Sequence, residues 1–487
     1  MATSPRTAVP PRTAPIKVPQ HVSVSGIVAG IRPPGPPVPK FLTPVFGGIY
    51  AAAYGVGGQP LVSSIVQHYG PVVSIPVLGF GDVVAVADPE LAKQVLNEKP
   101  DVLLGGEGVG PAAVIYGPRS MFVREEPEHL QRRRILIPPL HGDALLGYAP
   151  IIESVTREAM NSWPQGRPMR MLAAARELTL DVIIRIVFGV HDPADVQRLG
   201  KPFDELLALA LSPETPARYA LRRLGAVRMW GRLAAINKRI DELVLPLIEK
   251  NRSANPDPPG ASVLAMLTRT RYDSGQLLSA RMIRDDLVTL VLAGHETTAT
   301  TLAWMIDLLL HHDAALARVC AEAQSGETSY TEAVINETLR LRPPAPITGR
   351  MTTGPYRLGD YTIPAHTRIV LLLDLVNRNS KSYPDPDAFR PERFLGGRPP
   401  AHSWIPFGGG IKRCIGASFS MCELTTVLHT ILRYADLVPV SSRLESPPSH
   451  AAPVLIPSQG TRIIFRRNSR EDSRSLDNSS SQTPLQK

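Results

Sequence analysis

The stretch Phe407-Gly-Gly-Gly-Ile-Lys-Arg-Cys-Ile-Gly416 is the most chemically informative decapeptide of the chain. Its glycines release the backbone into a tight turn, so that amides can point at a nearby sulfur. An apolar, helix-compatible run begins at Ala417, which places Cys414 at a helix N-terminus with Lys412 and Arg413 beside it. A helix N-terminus and adjacent cations each lower a thiol pKa. The expectation is a stable thiolate, fit to be a nucleophile or a metal ligand. Cys320 and Cys422 have no such surroundings and read as inert buried residues. A phosphate loop fits poorly, because Lys412 is not followed by Ser or Thr and the glycine spacing is wrong.

A second stretch, Ala293-Gly-His-Glu-Thr-Thr298, puts glycine, hydroxyls and charge in the middle of an apolar helical pattern. The pattern runs from Ser279 to about His312, with Leu287, Leu290, Val291, Gly294, Thr297, Thr298, Thr301, Leu302, Met305 and Leu308 in i, i+3, i+4 order. Such a helix spans on the order of 50 Å. Gly costs about 1 kcal/mol inside a helix, and Thr is a mediocre helix former. Two readings stay open here: a polar patch or packing glycine, or a helix face that approaches a flat ligand at Gly294 and presents Thr297 to it.

The elements that must position these residues are mostly helical. Of 487 residues, 43% are hydrophobic and 20% charged, which excludes a disordered chain, a collagen and a small disulfide scaffold. The 49 prolines are about twice the usual share of ~5%, so helices must alternate with Pro-rich turns. Strands are expected at Pro71 to Val77 and Val83 to Ala87, with a capped helix start at Asp88-Pro-Glu. Helical periodicity dominates from Asp143 to roughly Leu267. Short β-like runs return from Arg357 to Leu373, and Ala452 to Phe465 suggests a hairpin. The fold class expected is mainly α with a minor β-sheet, in one large domain over residues 33–467. Residues 1–32 read as a mobile Pro- and basic-rich arm, and 468–487 as a disordered Ser/Asn/Gln-rich tail.

Three cysteines cannot build a disulfide framework or fill a four-thiolate iron–sulfur site, which favours a reducing, cytoplasmic compartment. The net charge of +9 is too diffuse to argue for nucleic acid. No membrane span and no signal peptide is expected: Ile27 to Gly30 is too short, and Phe41 to Val56 is interrupted by Pro44 and glycines.

The decapeptide resembles the haem-ligating loop of the cytochrome P450 monooxygenases, and three further stretches follow in that family's order. Ala293 to Thr298 looks like the oxygen-activating segment, Glu337-Thr-Leu-Arg340 is similar to the Glu-x-x-Arg pair, and Pro391-Glu-Arg-Phe394 resembles the motif whose arginine completes a buried network with that pair. The likeness covers roughly Pro33 to Arg467. It implies the cytochrome P450 fold and haem b with Cys414 as the axial thiolate and metal ligand. It assigns Phe407 to the haem loop, and His129, Arg133, Arg350 and Lys412 to the haem edge and its propionates. Lys412 stands where the family most often has Arg or His. It keeps the charge and gives up planar, bidentate geometry. Glu296 and Thr297 become the catalytic pair for proton delivery, while Glu337, Arg340 and Arg393 are structural. Arg132 and Arg134, beside Arg133, read as a solvated face.

The reaction implied is insertion of one oxygen atom from O2 into a largely apolar small organic substrate, by hydroxylation or epoxidation. Electrons come from a separate ferredoxin and ferredoxin reductase, docking where Arg132, Arg134, Lys412 and Arg413 approach the thiolate side. The rivals are a peroxide-driven peroxygenase and a non-catalytic haem sensor or binding protein. The acid–alcohol pair Glu296-Thr297 speaks against the first. The segments expected to line the pocket are Val102 to Met121, the region around Lys201 to Gly231, Ala345 to Thr348 and Ala452 to Ile456.

Overall fold

With side-chain caps at Asp88, Asp192 and Ser279, alternating apolar residues in the strands and apolar periodicity in the helices account for most of the elements in the computed structural model. It describes residues 31–35, 60–77, 81–110, 113–212, 215, 218, 231–253, 262–272, 274–396, 402–447 and 454–468. Strands β1 (Val72–Val77) and β2 (Gly81–Val86) pair antiparallel, as their sequence suggests. Helix α1 (Pro89–Asn97) starts where Asp88 accepts the amides of Glu90 and Leu91 at 2.9 and 3.0 Å, with Pro89 in the first turn where no N–H is missed. Helices α2 (Glu128–Leu136), α3 (Asp143–Ser162), α4 (Met171–Phe188), α5 (Pro193–Leu211) and α6 (Gly231–Ser253) follow. The long helix α7 (Ala280–Leu310) is capped by Ser279, then come α8 (Ser329–Leu341) and α9 (Ala417–Tyr434).

Helix α7 is the axis of the molecule. It packs along α4 and also touches α6, α8 and α9. Leu287, Val291, Leu302 and Met305 are fully buried on it. Nearly all of its faces are covered, so it reads as a core helix rather than a surface one.

The larger sheet has the order β1-β2-β8-β5-β3, with β3 (Leu103–Leu104), β5 (Ile347–Thr352) and β8 (Arg368–Leu372). Strands β2 and β8 run parallel and the other pairs antiparallel. Strands β6 (Tyr356–Leu358) and β7 (Tyr361–Ile363) form a separate hairpin. The expected hairpin within Ala452 to Phe465 is corrected: β10 (Arg462–Arg467) pairs with β9 (Ala435–Pro439) and with β4 (Pro168–Arg170), both distant in sequence. Alternation identifies a strand but not its partner.

Near the start of the described chain, Ile31 bridges Tyr361, and Pro34 O accepts the amide of Ser74 at 2.8 Å. Pro33 is buried, so residues 31–35 pack against the sheet, and the mobile arm expected to reach residue 32 is corrected at Ile31 and Arg32. Residues 1–30 of the arm, the apolar patch from Phe41 to Val56, the loop Asn255 to Gly260 and the tail beyond Asn468 lie outside the described residues. Among the described residues no helix is long and apolar enough to cross a membrane.

The buried ion pair in α8 ties helix to loop. Glu337 and Arg340 are both wholly buried and bonded at 2.6 and 2.8 Å. Arg340 also donates to the carbonyls of Pro386, Asn377 and Ala388, and Arg393 Nε approaches Glu337 to 3.4 Å. Removing one member of such a set strands a buried charge, at a cost of about 3–5 kcal/mol.

Candidate active site

A cavity of about 640 Å³ lies between α7, the start of α9 and the segment 105–123. The loop carrying Cys414 forms one side. Cys414 N donates to Phe407 O at 2.9 Å, which closes the turn, and α9 begins just beyond at Ala417. Gly410 is required there. Its φ is +63°, and a Cβ would stand 2.0 Å from the carbonyl oxygen of Leu96 in α1. Cys414 is exposed to the cavity, as are Phe407, Lys412 and Arg413. The expected lowering of the thiol pKa is not what the protein alone produces. Burial pushes Cys414 up, and the Gly416 amide with the Arg133 and Arg413 guanidiniums offsets only part of that. A coordinated metal cation would stabilise the thiolate.

Three cations and a histidine converge on one rim. Arg133 Nη1 donates to Arg413 O at 2.5 Å, tethering α2 to the cysteine loop. Arg350, buried on β5, donates to Gly349 O at 2.9 Å and Gly409 O at 3.4 Å. Lys412 Nζ donates to Arg124 O. Among the described residues none of the three forms an ion pair with a carboxylate. Burial lowers the pKa of each, that of Lys412 to about 8. His129 bonds Glu126 through Nδ1 at 2.8 Å, and burial with Lys412 nearby lowers it to about 4. Arg350 is buried and Arg133 and Lys412 half-buried, and withdrawn cations bonded only to neutral carbonyls are better satisfied with an anion beside them. A flat dianionic ligand in this cavity would supply it, which is the fit expected of a porphyrin with two propionates.

Across the cavity stands the middle of α7. Ala293 and Thr297 face the cavity, and Thr297 Oγ1 donates to Ala293 O at 2.6 Å. Gly294 also borders it, but a Cβ there would point at Ile183 of α4, 3.3 Å away. The glycine packs the helix against α4, and the cavity-facing positions are its neighbours Ala293 and Thr297. Glu296 is buried and held by Arg176 of α4, whose Nε donates at 2.7 Å. Burial pushes the Glu296 carboxyl up, while Arg176 pulls it back. Arg176 is one-third exposed, so this pair joins the cavity wall to the surface.

Sequence reasoning missed Arg176, whose one signal was a charge in the apolar run of α4. It also missed Glu423 of α9, buried beside Thr298 with both carboxyl oxygens lacking a hydrogen-bond partner among the described residues. Arg132 is corrected: it is no solvated residue but almost fully buried, paired with Asp286 of α7. Arg134 and Arg413 are exposed. The remainder of the wall is largely apolar, with Val114, Ile115, Leu207, Leu211, Ile347 and Val454 drawn from the four segments expected.

The family model for cytochrome P450 matches residues 36–465. A putative cytochrome P450 137 of Mycobacterium tuberculosis is 53% identical over 434 residues, covering 89% of this chain and 91% of that protein. A putative cytochrome P450 138 of Mycobacterium bovis is 34% identical over 441 residues, covering 89% and 98%. Among solved structures, a cyanobacterial CYP120A1 with retinoic acid bound superposes with a TM-score of 0.74 at 20% identity, covering 90% of this chain and all of that one, a likeness of fold. With these matches over the whole of the site just described, the chain belongs to the cytochrome P450 family of monooxygenases, which carry haem b on an axial cysteine thiolate.

Proposed function

We propose that Cys414 is the axial ligand and that the protein oxygenates an apolar small molecule in the cavity opposite it. The single observation that carries this reading is the pairing of one cavity-facing thiol with a rim of cations lacking carboxylate partners. Bound in the cavity, the haem supplies an iron that thiolate donation biases toward O–O cleavage. Arg133, Arg350 and Lys412 would hold the propionates by charge-assisted hydrogen bonds. His129, whose Nδ1 is turned to Glu126, joins them through Nε2 only once it takes up a proton, which a neighbouring carboxylate favours. Phe407 closes the cysteine loop through its carbonyl.

On the other side, Thr297 holds a water by its hydroxyl, and Glu296 passes protons inward from the Arg176 side. Apolar walls exclude bulk water and accept an apolar substrate body. The cyanobacterial protein that shares this fold has retinoic acid bound, a largely apolar molecule. Electrons come from a separate ferredoxin and its reductase, in the cytoplasm. The docking face shrinks from the four residues expected to Arg134 and Arg413, because Arg132 is buried and Lys412 is turned to Arg124 O.

The test is spectroscopic. Reduced, CO-bound protein is expected to show the red-shifted Soret band of thiolate ligation, and Cys414→His to lose it while still binding haem. The same band in that variant would assign the ligand elsewhere.

A further inference from the structure

A buried chain of charge joins three walls of the cavity and takes no part in the proton route above. Arg132 on α2 meets Asp286 of α7 through Nε at 3.1 Å and also through Nη2. Its remaining donors reach Arg119 O and Met282 O, each at 3.2 Å, and Glu128 lies 3.5 Å from Nη1. Asp286 accepts the amide of Met121 at 2.8 Å, and Asp285 accepts that of Arg119 at 3.0 Å. Arg284 links Asp285, at 3.1 Å, to Asp241 and Asn237 of α6, at 2.7 and 2.6 Å. Arg281 completes the set on Asp241 at 2.8 Å. Beside the chain, the Ser120 and Thr289 hydroxyls bond at 2.7 Å. Gly117 comes so near that a Cβ would stand 2.4 Å from the Asp285 carboxyl carbon.

Each element tied in this way contributes to the cavity wall. The segment 113–123 provides Tyr116, Met121 and Phe122, α7 provides Thr289 and Leu290, and α6 provides Leu233. Arg132, Arg281 and Arg284 face Asp241, Asp285, Asp286 and Glu128, with Arg281 at the exposed end of the set. A buried ionic set of this kind stabilises little more than apolar packing would. What it does supply is register, because its donors and acceptors are all satisfied in one arrangement of the three elements.

We propose that Asp285 and Asp286, with Arg132, are positioning residues that fix the segment 113–123 against α7 and so set which ligand sizes the distal cavity accepts. The proposal rests on the haem-site reading for one of its two readouts and is independent of it for the other.

Amide hydrogen exchange is the independent readout. In Asp286→Asn, peptides spanning 117–123 are expected to exchange about ten-fold faster, the loss expected of a charged hydrogen-bond acceptor. Peptides of α8 should keep their wild-type rates. The second readout is titration of the haem-loaded protein with imidazole and 4-phenylimidazole, followed at the Soret band. The ratio of the two dissociation constants is expected to move about five-fold or more, as a changed pocket contact allows, with imidazole itself little altered. If Asp286→Asn does not fold, Ser120→Ala, outside the cavity lining, removes the hydroxyl that bonds Thr289 and accepts the Phe122 amide and is expected to shift both readouts the same way, to a smaller extent. An unchanged ratio with local exchange unchanged, or faster exchange spread evenly through the molecule, overturns the proposal. A wild-type protein whose Soret band ignores imidazole would count against the haem-site reading and leave the exchange result to decide this one.

Discussion

Thr297 lines the cavity and Glu423 is buried beside the next residue, Thr298, and the two answer to different physics. The Thr297 hydroxyl is held by Ala293 O at the cavity edge, where it can accept a proton-donating water. Thr297→Ala is expected to keep haem and the CO-bound spectrum while product falls and hydrogen peroxide per NAD(P)H rises. Equal peroxide yields in variant and wild type would make Thr297 a packing residue. Glu423 is a stability question. Burial without a partner pushes its carboxyl up to about 8, and Thr298 offsets little of the shift. Its folded pKa thus exceeds the unfolded value of about 4.3. Between these values the folded state binds more protons than the unfolded one, so stability falls as pH rises and levels off above about 8. Glu423→Gln should remove that slope, giving a Tm advantage that is small near pH 5 and grows toward pH 8 (about three units of pH). A Tm difference independent of pH would show that Glu423 is ionised in the fold.

At the scale of elements, the cysteine loop depends on how closely it can approach α1. Gly410 combines a left-handed backbone with a Cβ position 2.0 Å from Leu96 O. The backbone alone makes Gly410→Ala cost about 1–2 kcal/mol, and the clash must displace either the loop or the end of α1. The expected result is a Tm loss together with a lower haem-to-protein ratio, because the displaced loop carries Cys414. A fully loaded variant would show that the loop adjusts without moving the sulfur. On the opposite side of the cavity, α7 owes its place to what covers it: α4 along its middle, and the Arg132–Asp286 contact near its start.

The molecule as a whole carries +9, yet that charge locates no partner until burial is known. Burial withdraws Arg132 and turns Lys412 inward, leaving Arg134 and Arg413 exposed near the cysteine loop. An acidic ferredoxin steered to that face should reduce the protein more slowly as the Debye length falls from ~10 Å at 0.1 M salt to ~3 Å at 1 M. Arg134→Glu/Arg413→Glu should slow reduction at low salt and flatten the salt dependence, as read by stopped-flow reduction under CO. A rate insensitive to both salt and charge reversal would move the docking face elsewhere.

The sequence by itself determined the elements whose information is local. The cap at Asp88, the reach of α7 from Ser279, and the glycine turn before Cys414 follow from capping, periodicity and backbone freedom within a few residues. Motif order was equally legible, because Ala293 to Thr298, Glu337 to Arg340, Pro391 to Phe394 and Phe407 to Gly416 are each contiguous. Only the tertiary structure decided pairings across sequence distance. Strand β10 joins β9 and β4 rather than a neighbour, Arg176 grips Glu296 across 120 positions, and Arg132 leaves solvent for Asp286 across 154. Protonation was decided there too. A cationic neighbourhood in sequence argued for a low thiol pKa at Cys414, but desolvation outweighs those charges once the chain closes around the cavity. Local chemistry fixes which groups are present; burial sets their charge, and burial belongs to the whole fold.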